Sequence, residues 1–124
     1  MEINILAQIF NMKLAPSPYE MIASGKKTIE LRLFDEKRSQ IKKGDVIIFT
    51  QTQSGESVCA NVVELHRFDT FEELYKSLPL IKCGYTEENI DFASCDDMNI
   101  YYSLDEQKKY GVVGIEIFLI DKKI

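Results

Sequence analysis

The sequence predicts an α+β fold, a small curled sheet or β-barrel with short helices at its ends, and three observations lead to this prediction. About five segments show the alternation or the β-branched composition of strands. Three capping-box patterns, in which a Ser or Thr precedes a Glu by three positions, mark the starts of short helices. The order of these elements excludes a regular alternation of strand and helix, so we do not expect a parallel, doubly wound sheet.

Length and composition are those of one globular domain over residues 1–124. A chain of 124 residues with 45% hydrophobic residues can bury a core without disulfides or a structural metal. No apolar run approaches the roughly 18 residues of a membrane span, and the first residues lack the basic region of a secretory signal. Three cysteines without C-x-x-C spacing indicate neither a disulfide framework nor a zinc site. We therefore expect a cytoplasmic protein without metal or cofactor.

The capping boxes begin at Ser17, Thr70 and Ser103, and Thr86 is a candidate start for a shorter fourth helix. The first helix is predicted over about residues 18–24, where Gly25 suits a left-handed cap. Strand patterns lie between the helices. They cover Thr28–Phe34, Val46–Phe49, Ser57–Phe68 and Val112–Ile120, with Ile3–Phe10 as a candidate first strand. Residues 79–102 show weak periodicity and are predicted to be an irregular segment containing a helix.

The charge is unevenly distributed along the chain. A net charge of −5 argues against a protein that coats nucleic acid non-specifically, because such affinity comes from neutralised phosphates. Residues 1–50 nevertheless carry 8 basic and 6 acidic side chains, whereas residues 51–124 carry 7 and 14. Seven of the cations fall within one short segment: Lys26, Lys27, Arg32, Lys37, Arg38, Lys42 and Lys43. Any site for an anionic ligand is predicted in that segment.

The most informative pattern within it is Gly25-x-Lys27-x-x-Glu30-x-Arg32. The period of a strand places Glu30 and Arg32 on one face, and Lys27 lies in the turn before it. This polar face points either to a surface beside a helix end or into the mouth of a barrel. An ammonium, a carboxylate and a planar guanidinium can together hold an anionic or hydrogen-bond-rich ligand. An ordinary surface ion pair would account for the same pattern.

The pattern resembles the signature of the ASCH domain, named for homology to the activating signal cointegrator. The similarity continues through three further segments, which are Leu33–Arg38, Lys43–Phe49 and Tyr110–Ile117. The resemblance implies a PUA-like β-barrel of about five to six strands with short peripheral helices. It also implies a cleft where Lys27, Glu30 and Arg32 gather, and RNA or a modified nucleotide as the ligand.

A related branch of the family hydrolyses N4-acetylcytidine with a Lys and a Thr of this motif and a distant Glu. Lys27 matches the lysine, but Glu30 occupies the position of the threonine, so the hydroxyl nucleophile is missing. The resemblance therefore leaves a second function open. The protein could be a nucleoside or amide hydrolase, or a ribonuclease, in which Lys27 and Glu30 act as an acid–base pair. The distant acid could be Glu72, Glu73 or another carboxylate, and spacing does not choose among them.

Five further residues complete the predicted binding set. Lys26, Lys37 and Arg38 would attract phosphates, and Phe34 and Tyr19 would stack on a base. A third alternative is an adaptor that binds a protein partner through the acidic second half of the chain.

Other candidates are expected to be structural. His66 lies seven positions after Cys59, which in a regular strand places the two on opposite faces. Two acidic pairs, Asp96-Asp97 and Glu87-Glu88, could bind Mg²⁺. We expect them instead to be solvated or to lie at helix N-termini, where the helix dipole favours negative charge. Tyr101 and Tyr102 are expected mainly in the core.

Overall fold

Five strands form one sheet in the computed structural model of the protein, which describes residues 7–120. The strands are β1 (Ile9–Leu14), β2 (Ile29–Leu33), β3 (Val46–Gln51), β4 (Ser57–Phe68) and β5 (Val112–Leu119). Their order across the sheet is β1-β3-β4-β5-β2. The β1–β3 pair is parallel and the other pairs are antiparallel. The sheet curls into a half-barrel, as predicted, and its open side lies between the edge strands β1 and β2.

Short helices connect the strands. The α-helices are α1 (Pro16–Ala23), α2 (Phe71–Ser77) and α3 (Leu104–Tyr110). Four 3₁₀ turns cover Arg38–Gln40, Leu80–Cys83, Ile90–Phe92 and Cys95–Ile100. The last three of these turns make up most of the 79–102 segment. No helix within residues 7–120 is long and apolar enough to cross a membrane.

One of the three predicted capping boxes is confirmed in full, at Ser103, and at Thr70 only the N-cap hydrogen bond of the box forms. The Thr70 side chain accepts a hydrogen bond from the Glu73 amide, and Ser103 and Glu106 cap each other reciprocally. The box at Ser17 is wrong, because α1 begins at Pro16 with Ala15 as its N-cap and no side-chain cap. Proline at the first helical position has no N–H to satisfy and its φ is already helical, so the helix begins there.

Two further expectations concern the chain before β1 and the segment after residue 85. No α-helix begins at Thr86; the Asn89 and Ile90 amides both donate to the Thr86 carbonyl and close a single turn, which the chain does not continue as an α-helix. Of the candidate first strand Ile3–Phe10, residues 1–6 lie outside the described part of the chain. The first described strand begins at Ile9.

β2 separates two hydrophobic cores. Ile29, Leu31 and Leu33 belong to a core on the outer side of the sheet, beneath α2 and the 79–102 segment. Glu30 and Arg32 lie on the opposite face, in register with Ile115 and Val113 of the core inside the half-barrel. The polar face of β2 therefore points into the mouth of the barrel, which is the second of the two orientations left open by the sequence.

A β-bulge in β4 overturns the prediction for Cys59 and His66. The register with β5 shifts between Val62 and Glu64, so the side-chain alternation changes phase there. Cys59 and His66 consequently share the outer face of the sheet, but seven residues of strand separate them by roughly 20 Å. His66 instead contacts Glu116 across the strand pair, with 2.9 Å between Nε2 and Oε1.

We expect replacement of Ser103 by Ala to lower the free energy of unfolding by about 1 kcal/mol, because an N-cap hydrogen bond is lost. Ser17→Ala is the matched control, since Ser17 caps no helix, and we expect a change within about 0.5 kcal/mol. Urea denaturation of both variants measures the difference. Equal effects of the two substitutions would contradict the assignment of the caps.

Candidate functional site

A cleft of about 690 Å³ lies between the open side of the half-barrel and the 79–102 segment. Its walls come from the end of β1, from α1, from β2 and the preceding Lys27, and from the 79–102 segment together with Tyr75 of α2. Volumes of about 300–1,000 Å³ are usual for sites that bind small molecules. The cleft can therefore accommodate a ligand of the size of a nucleotide.

Glu30 forms the base of the cleft and is only 3% exposed. Its Oε1 lies 2.8 Å from the Lys27 ammonium, and its Oε2 accepts a hydrogen bond of 2.7 Å from Arg32 Nε. Both cationic side chains are themselves 13% exposed. A carboxylate so deeply buried is tolerated only because two opposite charges and a hydrogen bond compensate its lost hydration.

The charge state of this group follows from its surroundings. Burial alone would raise the pKa of Glu30, but the charges of Lys27 and Arg32 outweigh it and hold the pKa below its usual value. Glu30 is therefore an anion at neutral pH. Since Lys27 and Arg32 are both cations, the three side chains together carry a net charge of +1.

Arg32 also spans the open side of the half-barrel. Its Nη2 donates a hydrogen bond of 3.3 Å to the Lys13 carbonyl on β1. Lys37 makes a second connection of this kind, with 3.4 Å from Nζ to the Asn11 carbonyl. Both carbonyls lie on the edge of β1 that faces away from β3, so they have no strand partner on that side. Arg32 thus lines the cleft and links the two edge strands.

The 79–102 segment supplies the opposite wall, which contains a chain of hydrogen bonds. The Tyr85 hydroxyl donates to Asp97 Oδ2 at 2.7 Å and lies 2.7 Å from the Tyr75 hydroxyl. Asp97 Oδ2 also accepts from the Ser94 amide. Burial raises the pKa of both tyrosines, so their hydroxyls are neutral at pH 7. This wall presents neutral hydroxyls together with the carboxylates of Asp96 and Asp97.

Two other side chains in the cleft are also uncharged. Tyr102 is half-buried, and burial raises its pKa, with the Arg32 charge opposing that rise. Burial raises the pKa of the Cys83 thiol to about 11, so Cys83 is protonated at neutral pH. A protonated thiol is a poor nucleophile.

The charged side chains that line the cleft balance each other. Three are positive and three are negative: Lys13, Lys27, Arg32, Glu30, Asp96 and Asp97. The lining therefore combines hydrogen-bond donors and acceptors without a net charge.

The structure brings together only part of the predicted binding set. Lys27, Glu30 and Arg32 share the cleft, as the motif predicts. Lys26, Lys37 and Arg38 do not line it. Lys26 is exposed, Lys37 contacts β1, and Arg38 pairs with Asp35 at 3.0 Å. These cations lie in the same segment of chain but outside the cleft.

The two predicted stacking residues lie elsewhere. Tyr19 is 4% exposed and packs in the core inside the half-barrel. Phe34 packs against the same core, and the Arg67 guanidinium lies 3.8 Å from its ring centroid. The aromatic side chains that do line the cleft are Tyr75, Tyr85, Tyr101 and Tyr102. The sequence pattern predicted Tyr101 and Tyr102 mainly in the core, and it gave no signal for Tyr75 and Tyr85.

Glu72 and Glu73, the two glutamates named as candidates for the distant acid, do not line the cleft. Glu72 pairs with Lys76 at 3.4 Å, and Glu73 belongs to the N-terminal cap of α2. Besides Glu30, the carboxylates on the described cleft lining are Asp96 and Asp97. Residues 7–120 contain no group of three or more His, Cys, Asp or Glu side chains able to hold a metal ion.

With this geometry, the fold and the motif define a class of protein. The sequence profile of the ASCH domain matches residues 12–121, and the chain belongs to the ASCH domain family. ASCH domains have a PUA-like fold that is commonly linked to RNA binding. None of the curated proteins matches the chain with significance.

Solved structures agree with this assignment. The hypothetical protein PH0355 is 35% identical, with a TM-score of 0.72 over 90% of this chain and 99% of its own. Protein PF0455 from Pyrococcus furiosus is 32% identical, with a TM-score of 0.68 over 91% of this chain and 98% of its own. The ASCH protein from Zymomonas mobilis is 16% identical and shows the fold alone, with a TM-score of 0.63 over 89% of this chain and 66% of its own.

The lowered pKa of Glu30 makes stability depend on pH. Its contribution is complete above the unfolded-state pKa of about 4.3 and is lost as the pH falls from there toward the folded-state pKa. We expect the free energy of unfolding of the unmodified protein to fall more steeply between about pH 5 and pH 3 than that of Glu30→Gln. Glu72→Gln, at an exposed carboxylate, should keep the original slope. Parallel curves for the unmodified protein and Glu30→Gln would contradict the assignment.

Proposed function

We propose that this protein binds single-stranded RNA by taking one unpaired nucleotide into the cleft, with Lys27 and Arg32 as the groups that bind it. The observation that carries the proposal is the buried Glu30, which holds two cations at the base of an open cavity. A buried ion pair is weak evidence for stability, since apolar residues of similar volume often serve as well. Charged groups assembled in a cleft are instead typical of functional sites.

The charge balance of the cleft supports a base rather than a run of phosphates as its occupant. Three cations face three carboxylates, so the lining has little net attraction for a polyanion. Lys27 and the remaining N–H groups of Arg32 can donate to carbonyl oxygens or ring nitrogens of a base. Asp97, on the other wall, can accept from an amino group. Glu30 would orient the two donors.

The aromatic side chains support the same occupant. Tyr85 and Tyr102 line the cleft, and Tyr101 lies at its mouth with 66% of its surface exposed. Stacking of a base on an aromatic ring contributes about 1–3 kcal/mol and needs no particular sequence. Unpaired bases are available in single strands, loops and bulges, whereas the bases of a regular RNA duplex are not.

A hydrolase acting on an acylated nucleoside or on RNA is the second candidate. The observation that favours it is the contact of 2.8 Å between Lys27 and Glu30 in an open cleft, a geometry suited to proton transfer. Two observations favour binding instead. The pKa of Glu30 lies below its usual value, which makes Glu30 a weak base, and the Cys83 thiol is protonated at neutral pH.

The first experiment measures RNA affinity by fluorescence anisotropy with a labelled single-stranded RNA of mixed sequence. We expect Lys27→Met and Arg32→Met each to raise Kd at least about 10-fold, since hydrogen bonds to charged groups contribute about 1.5–3 kcal/mol. Lys26→Met is the control, because it removes the adjacent charge outside the cleft. Thermal unfolding of each variant identifies any loss of folding. If the unmodified protein and the three variants bind the RNA with equal Kd values, the proposed site is refuted.

The salt dependence of the same binding curve is a separate prediction. We expect Kd to rise only about 4- to 16-fold between 50 and 200 mM salt, a slope of log K against log salt of about −1 to −2, because few phosphates are neutralised. A steep slope, near that expected for about 6 phosphate contacts, would show that RNA binds along the surface rather than in the cleft.

Turnover assays separate binding from hydrolysis. The protein is incubated with N4-acetylcytidine and, separately, with RNA, and the products are analysed by mass spectrometry. The binding proposal expects unchanged substrates in both cases. Turnover that disappears in Lys27→Met would favour the hydrolase instead.

A further inference from the structure

The 3₁₀ turn Leu80–Cys83 ends at Gly84, and this turn is attached to the chain beside Lys27. The Thr28 amide, one residue after Lys27, donates a hydrogen bond of 2.9 Å to the Lys82 carbonyl. Gly84 ends the turn in a left-handed conformation with a φ of 115°, which favours glycine. The turn therefore lies against the start of β2, where the cationic group of the cleft begins.

The Lys27 side chain passes over the side of Gly84 where a β-carbon would stand. A β-carbon placed on Gly84 would lie 3.3 Å from Lys27 Cδ, 3.6 Å from Cε and 3.8 Å from Nζ. The last three atoms of the lysine thus run along the surface that Gly84 leaves open. Glu30 Oε1 lies 2.8 Å from the ammonium. Lys27 is held between this backbone and the carboxylate.

We propose that Gly84 is a positioning residue for the ligand-binding cleft. Its bare backbone lets the Lys27 side chain lie flat against the turn and sets the place of the ammonium beside Glu30. This inference rests on the proposed function of the cleft. A methyl group at position 84 would lie 3.3 Å from Lys27 Cδ, which is tighter than nine in ten contacts at β-carbons, so the lysine side chain would have to shift by a few tenths of an ångström. This shift would displace the ammonium from its ideal position beside Glu30, although residue 84 itself need not touch the ligand.

Gly84→Ala tests this directly, and Gly55→Ala is its matched control. Both glycines have positive φ values, 115° and 78°, so alanine strains the backbone at both positions. A β-carbon at Gly55 would meet nothing within 4 Å. We expect Gly84→Ala to raise Kd for the single-stranded RNA at least about fivefold and Gly55→Ala to change it less than about twofold. Similar Kd values for the two variants would overturn the proposal.

A double-mutant cycle distinguishes positioning from general damage to the fold. If Gly84 acts through the Lys27 ammonium, Gly84→Ala should not raise Kd further in the Lys27→Met background. Additive effects of the two substitutions would show that residue 84 acts independently of Lys27, and the proposal would fail. If Gly84→Ala does not fold, Gly84→Asn replaces it, because Asn carries a β-carbon and tolerates left-handed conformations better.

A measurement without RNA keeps this inference separate from the proposed function. The rate of reductive dimethylation of Lys27, followed by mass spectrometry, reports how accessible the ammonium is. We expect Lys27 to react at least about threefold faster in Gly84→Ala than in the unmodified protein, because a displaced ammonium is less well shielded than one that is 13% exposed beside Glu30. Exposed Lys42 is the internal reference. Faster reaction with no RNA binding by any variant would support the positioning role and refute the RNA proposal. An unchanged rate would overturn the positioning role.

Discussion

The cleft depends on one buried carboxylate. Glu30 faces the mouth of the half-barrel, where it would be costly to bury as an isolated anion, and it is compensated by Lys27 on one oxygen and Arg32 on the other. The same contacts hold both cations at low exposure with their side chains ordered. A ligand that binds them therefore meets donors whose conformational entropy has already been lost on folding.

Arg32 connects this local ion-pair group to the whole architecture. A sheet of five strands with β1 and β2 at its edges remains open on one side, and unpaired strand edges are sites of unwanted pairing. The Arg32 hydrogen bond to the Lys13 carbonyl lies across that opening. The place where the barrel fails to close is thus the place where the cleft forms, and one side chain contributes to both.

The fold distributes the charges of the chain differently from the sequence order. The acidic second half contributes Asp96 and Asp97 to the wall opposite Lys27 and Arg32, so the cleft is balanced although the chain carries −5. Most of the basic segment lies outside the cleft. Lys37 and Arg38 serve local contacts with β1 and Asp35. The cleft is small, carries no net charge and is rich in hydrogen-bond donors and acceptors. It therefore differs from the extended basic surface by which proteins usually bind nucleic acid non-specifically.

The sequence by itself determined what depends on local spacing. Alternation placed Glu30 and Arg32 on one face of β2, and the boxes at Thr70 and Ser103 cap their helices, because these relations span only a few residues. Tertiary structure decided which way that face points, since the orientation depends on pairing β2 with β5, whose paired residues lie 79 to 87 positions away in sequence. It also buried Tyr19, brought Tyr85 and Asp97 to the cleft, and placed Gly84 against Lys27. Tyr85, Asp97 and Gly84 lie in the 79–102 segment, which has no clear periodic pattern, so no local signal could have predicted their contacts.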